Sequence, residues 1–214
     1  MACDGVPVVL NPVEQRVIAF VAWQGRAVNR TFVAASIWPD ISEVRAHARL
    51  RTALWRCHRA ARLLDGSASD LWLADGVRVD FREMVPRVRR LCEGDGADLS
   101  PDELSRDLLD GWYDDWVLAS RERYRQLRLH ALDVLCRSLR LAGRYAASLE
   151  AAMVAVEAEP LRESAHAEVI ELHLAEGNVN EAVRHYHRYA KLLNRELGVP
   201  PTAALTRLLP ALSC

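Results

Sequence analysis

Lysine is nearly absent from this 214-residue chain: Lys191 is the single one among 28 basic side chains. Long apolar runs are missing as well. None approaches the roughly 18 residues that a bilayer span needs, and the opening Met1-Ala2-Cys3-Asp4 is too short and too acidic for a secretory leader. A cytoplasmic chain with no membrane contact is expected. Cysteine is sparse and odd in number, five residues at 3, 57, 92, 136 and 214. With no CxxC and no paired Cys/His spacing, neither a zinc site nor a disulfide framework is indicated. Reduced thiols are expected, with Cys57 and Cys136 in the core. No glycine-rich phosphate loop and no nucleophile motif occurs. His166 and His173, and His185 and His187, lack a carboxylate or cysteine at ligand spacing. The chain is therefore expected to be no enzyme and to need no cofactor and no metal.

What is present is an unequal distribution of charge. Residues 1–92 hold 14 basic and 9 acidic side chains, net +5, whereas residues 93–214 hold 14 and 20, net −6. A basic first part and an acidic second part predict two modules with different partners, divided as 1–92 and 93–214.

In the first module, Gly5 to Leu10 reads as one edge strand, because Pro7 would interrupt a central one. Asn11 caps a helix with Pro12 at its first position and Glu14 in its first turn; Val13, Val17, Phe20 and Val21 form the apolar stripe, and Gly25 ends it. Asn29 caps a shorter helix facing Val33 and Ile37 inward, closed by Trp38-Pro39. After that turn Ser42 caps SEVRAHARLRTALWRCHRAARLL, which carries six arginines against the one acid Glu43. Leu50, Leu54, Cys57 and Ala61 fall on one helical face; Arg45, Thr52, Arg56 and Arg59 fall on the other, flanked by Arg49, Arg51, Arg62 and Trp55. Two helices, a tight turn and a basic helix follow the order of a helix-turn-helix, whose second motif helix enters the major groove. Short apolar runs at 63–64, 71–73 and 77–79, separated by Gly/Ser/Asp clusters, predict strands and complete a winged helix.

This pattern makes double-stranded DNA the expected partner, since a guanidinium pairs bidentately with phosphate and with guanine edges. Arg45, Thr52, Trp55, Arg56 and Arg59 are placed on the groove face. Arg49, Arg51 and Arg30 are placed to hold phosphates, Arg30 at a helix start where backbone N–H groups favour an anion. Trp55 either packs on thymine methyls or sugars, or seals its helix against the second module. The hairpin tip, 65–70, carries two acids and no arginine, so contact there depends on Arg78.

Residues 81–92 predict a helix with Pro86 near its first turn, and 93–98 predict a linker. Ser100-Pro101-Asp102-Glu103 is a capping box that predicts a short helix through Leu109. Trp112, Tyr113 and Trp116 predict a packed corner rather than a ligand site. Further on, Leu141-Ala-Gly-Arg-Tyr145 recurs as Ala175-Glu-Gly-Asn-Val179, 34 residues later. That spacing is the tetratricopeptide period, with Pro160 at its terminal position. Helix pairs are expected at 117–142 with 145–158 and at 162–176 with 179–197, then a capping helix at 202–212. Cys136 and Ile170 stand where many such repeats have glycine. The fold class predicted is mainly α: an α+β winged helix-turn-helix, then an all-α tetratricopeptide-like repeat domain.

Several runs resemble the SARP family, the Streptomyces antibiotic regulatory proteins. They are Leu50-Arg-Thr-Ala-Leu-Trp-Arg56, Gly76-Val-Arg-Val-Asp80, Leu109-Asp-Gly-Trp-Tyr-Asp-Asp-Trp-Val117, Arg121-Glu-Arg, Gln126-Leu-Arg-Leu-His-Ala-Leu132, Glu159-Pro-Leu-Arg-Glu-Ser-Ala-His166, Leu174-Ala-Glu-Gly-Asn178 and Glu196-Leu-Gly-Val199. The resemblance implies a nucleoid-associated transcriptional activator, with a bacterial transcriptional activator domain after the winged helix. It also implies a homodimer on direct repeats of promoter DNA, recruitment of RNA polymerase, and control of a biosynthetic gene cluster for a secondary metabolite. Within the 214 residues no phospho-accepting receiver domain is found, so control is expected through expression level, a partner or a ligand. An interaction adaptor whose winged helix no longer binds DNA is the alternative.

Overall fold

The structure, a computed structural model, describes residues 2–3, 6–94 and 99–209. Most of the expected linker at 93–98, the end of the expected capping helix and Cys214 lie outside those residues, as do the side chains of residues 2, 3, 6 and 7. The chain divides into two compact units, Met1–Asp80 and Phe81–Cys214.

The first unit begins with a two-residue strand pair, β1 (Ala2–Cys3) antiparallel to β2 (Val6–Pro7). The strand thus ends at Pro7 instead of running on to Leu10. Helix α1 (Pro12–Gln24) starts at Asn11, whose side chain accepts from the N–H groups of Val13 and Glu14 while Glu14 reaches back, a complete capping box. Gly25, at φ 76°, ends it in the left-handed region. Val17, Ile18, Phe20 and Val21 are buried, but Val13, expected in the stripe, is 37% exposed.

Strand β3 (Val28–Asn29) leads into α2 (Arg30–Ile37), capped by Asn29, and α3 (Glu43–Ala60) follows the turn. Ser42 occupies the N-cap position of α3 but its side chain makes no capping bond. Then come β4 (Leu64–Gly66) and β5 (Asp70–Leu73). The sheet has the order β3-β5-β4, antiparallel throughout, with Leu64 opposite Leu73 and Val28 opposite Leu71. Residues 77–79, expected as a strand, are irregular. The place beside β5 is taken by β3, so the hairpin's second neighbour comes from before α2 rather than after the turn at 74–76.

Helix α4 (Asp80–Glu93) lies, after its first residue, in the second unit. Its Val88 and Leu91 share a core with Leu99, Leu104, Leu132, Leu135 and Val169. Pro86 sits in its interior, not its first turn. Removal of one ladder donor there is offset by the burial of Val88 and Leu91.

Helices α5 (Asp115–Leu141), α6 (Tyr145–Ala158), α7 (Glu163–Ala175) and α8 (Val179–Leu197) form the two expected helix pairs. Their turns repeat bond for bond: Arg144 N–H donates to the Leu139 carbonyl and Gly143 N–H to Arg140, as Asn178 does to His173 and Gly177 to Leu174. Gly143 (φ 72°) and Gly177 (φ 78°) supply the left-handed residue that this helix ending needs. The glycine-replacing Cys136 and Ile170 are both buried, and burial pushes the Cys136 thiol up to about 12. A short α9 (Ala203–Thr206), capped by Thr202, buries Leu205 against Ile170, Tyr189 and Leu193.

Candidate nucleic-acid interface

Helix α3 is amphipathic because its small and apolar residues recur at helical spacing. Ala46, Leu50, Ala53 and Cys57 are buried; Leu54 and Ala61, expected on the same face, are half-buried at its edge. Burial, and secondarily the nearby Glu14, pushes the Cys57 thiol up to about 12, so it stays protonated in the core. Arg45, Arg49, Thr52, Arg56 and Arg59 recur at steps of four and three, one continuous stripe, and all are exposed. Arg49 forms one edge of that stripe, and Arg51, about 160° from Arg49 around the helix axis, lies beyond its other edge.

The charge of this surface is available. Among the described residues, Arg45, Arg49, Arg51, Arg56 and Arg59 have no carboxylate partner. Glu43, the one acid of the helix, lies 3.7 Å from His47. Trp55 is 59% exposed, and the Arg59 guanidinium lies over its ring, 4.9 Å from the centroid. The indole is thus held in a cation–π contact beside the stripe.

Arg62 and Arg30 are placed differently. Arg62 forms a bidentate pair with Asp65, at 2.9 and 3.2 Å. One of the two acids at the hairpin tip is thereby neutralised from within the motif, a spacing of three that was visible in the sequence. The other, Asp70, accepts from the Ser69 hydroxyl. Arg30 donates from Nε to the Ser67 carbonyl at 3.0 Å, and its backbone N–H donates to Ser69 at 2.8 Å. The guanidinium thus ties the start of α2 to the β4–β5 turn, across 37 residues. Gly66 permits this approach: a Cβ there would stand 2.8 Å from the Asp70 carbonyl oxygen and 3.0 Å from Arg30 Nη2. Arg78 is exposed in the irregular segment at 77–79. Of the nine residues expected at the interface, the seven on α3 share one helix surface, Arg30 buttresses the hairpin, and Arg78 follows it.

Residues 94–212 match the family model described as the bacterial transcriptional activator domain. The chain belongs to that family. This is the repeat domain that the SARP resemblance implied, in a family of transcriptional activators. No curated protein matches the chain. Among solved structures, EmbR of Mycobacterium tuberculosis, in complex with a low-affinity phosphopeptide, aligns with a TM-score of 0.63 at 19% identity. The alignment covers 96% of this chain and 60% of EmbR, so the likeness speaks for the fold and spans less than two thirds of that protein.

Within the bacterial transcriptional activator domain, the Asp-Gly-Trp-Tyr-Asp-Asp-Trp corner is held by arginines of α5. Arg121 donates to the carbonyls of Leu108, Leu109 and Trp112, and the buried Arg128 donates to that of Ser105. The expected helix through Leu109 does not form, and turns stand in its place. The capping box is present, with Ser100 N–H to Glu103 at 2.9 Å, yet Leu104 and Ser105 bond three residues back in a tight turn. Arg128 takes the Ser105 carbonyl, which a helix through Leu109 would use, and Leu109 adopts φ 48°. Trp112 and Trp116 are half-buried at this corner, while Tyr113 is 80% exposed.

Among the described residues, no helix is long and apolar enough to cross a membrane.

Proposed function

We propose that the chain is a sequence-specific DNA-binding activator whose α3 enters the major groove of promoter DNA. One observation carries this reading: the second helix of a helix-turn-helix presents a stripe of exposed arginines without carboxylate partners. In this reading Arg45, Thr52, Trp55, Arg56 and Arg59 face base edges and sugars, while Arg49 and Arg51 hold phosphates on either side. Arg78 adds a contact behind the hairpin. Arg30 acts indirectly, by setting the angle of the hairpin. Dimeric binding to direct repeats, recruitment of RNA polymerase and control of a biosynthetic gene cluster at the nucleoid belong to the same proposal and rest on the SARP resemblance.

The test is an Arg56→Ala variant in a mobility-shift assay on promoter fragments. Loss of about 1–3 kcal/mol, with altered preference at one base position, is the expected result. Unchanged binding would remove Arg56 from the readout.

The adaptor reading drew on the acidic hairpin tip. The Arg62–Asp65 pair weakens that motive, because the carboxylate nearest the helix is already matched.

A further inference from the structure

A cleft of 520 Å³ opens in the first unit between the first turn of α1 and the flank of α3 that carries Arg49, Thr52 and Arg56. Pockets for small molecules span about 300–1,000 Å³ and are mostly apolar with a few placed polar groups. Here Val13, Trp38, Ala48 and Ala53 line the apolar part. Val13 is left 37% exposed on a helix whose other valines are buried.

The polar groups settle which chemistry fits. Thr52 donates its hydroxyl hydrogen to the Ala48 carbonyl, 3.1 Å away. The N–H groups of Val13 and Glu14 are both taken by Asn11 Oδ1 at 3.0 Å, so the helix N-terminus offers no donor. Glu14, the one acid in the lining, is 5% exposed and accepts from the Asn11 backbone N–H and side-chain amide at 3.0 and 2.6 Å. What remains is a pair of guanidinium groups, Arg49 and Arg56, on an apolar slot. A polar metabolite would lose its water there without replacement.

We infer that this cleft binds a small amphipathic monoanion, a carboxylate carried on an apolar chain or ring. Its charge sits on Arg49 and Arg56 and its body lies against Val13, Trp38 and Ala53. The two guanidinium groups are those assigned above to DNA, so ligand and DNA exclude one another. That exclusion rests on the proposed function; occupancy of the cleft does not.

The probe is 1-anilinonaphthalene-8-sulfonate, one sulfonate on an aromatic body, titrated into the full chain without DNA. One saturable site is expected, emptied by sub-micellar decanoate at a concentration about tenfold below that of uncharged decanol. Ala48→Leu, an exposed position that fills the slot, and Arg56→Ala should each weaken the dye about tenfold with the thermal melt unchanged. Dye binding insensitive to both substitutions, or displacement by decanol as effective as by decanoate, overturns the site. In a second arm, saturating decanoate should weaken promoter binding by the wild-type chain but not by Ala48→Leu. Promoter binding indifferent to decanoate overturns the exclusion. If the chain binds no DNA at all, the DNA reading fails and the dye titration still decides the cleft.

Discussion

Single side chains decide what the arginine-rich surface has on offer. Arg30 and Arg56 are both expected from the sequence to touch DNA, yet one guanidinium lies on the Ser67 carbonyl and the other on the open stripe. Arg30→Ala should therefore speed amide exchange in the β4–β5 turn while leaving the salt dependence of DNA binding unchanged. A decrease of about 1 in the log–log salt slope would instead mark Arg30 as a phosphate contact. The buried histidines of the repeat domain give a second prediction. His166 Nε2 lies 2.9 Å from the Pro160 carbonyl, which only accepts, so the hydrogen sits on Nε2. Neutral His166 then accepts at Nδ1 from His185 Nε2, 2.9 Å away. Burial lowers the pKa of both, and burial together with His166, Arg188 and His173 brings His185 to about 4. An unfolded histidine takes its proton near 6.5, and the folded pair resists until well below that. Stability is thus complete above pH 6.5 and falls as pH drops toward 4, by on the order of 2 kcal/mol. Denaturant midpoints measured across that window should show the fall, and His185→Gln should flatten it.

Elements were legible where their signals are local. Asn11, Pro12 and Glu14 announce α1 within four residues, and the structure closes the capping box they spell. The 34-residue echo of the glycine turns likewise foretold α5 to α8, because a left-handed helix ending is a backbone requirement written in one residue. A Cβ on Gly177 would meet nothing within 4 Å, so Gly177→Ala tests the backbone alone. It should cost about 1–2 kcal/mol, read as a lower denaturant midpoint with an unchanged slope. The same kind of local signal misled at 100–109. A valid capping box stands there without a helix, and Arg128, distant in sequence, takes the Ser105 carbonyl that a helix would use. Pro86 was misplaced for a related reason: burial of Val88 and Leu91 outweighs the lost donor, and burial is a property of neighbours.

At the scale of the molecule, a net charge of −1 conceals two opposite halves. A chain nearly neutral overall can still bind a polyanion when its positive charge is concentrated on one helix face. DNA affinity should accordingly fall steeply with salt, and Arg51→Ala should lower the log–log slope by about 1, roughly equally on every promoter sequence. A flat salt response would favour the adaptor reading.

By itself the sequence determined the basic stripe, the caps of α1 and α2, the two helix pairs and the repeat period. Each is set by residues a few positions apart, or by a fixed recurrence. Only the tertiary structure decided which arginines face outward, that α4 joins the repeats, and that β3 completes the sheet. Arg30 is bound to Ser67 and Arg121 to Leu108 through contacts that folding creates between distant segments. Hydrogen-bond partners of that kind leave no periodic trace in the chain.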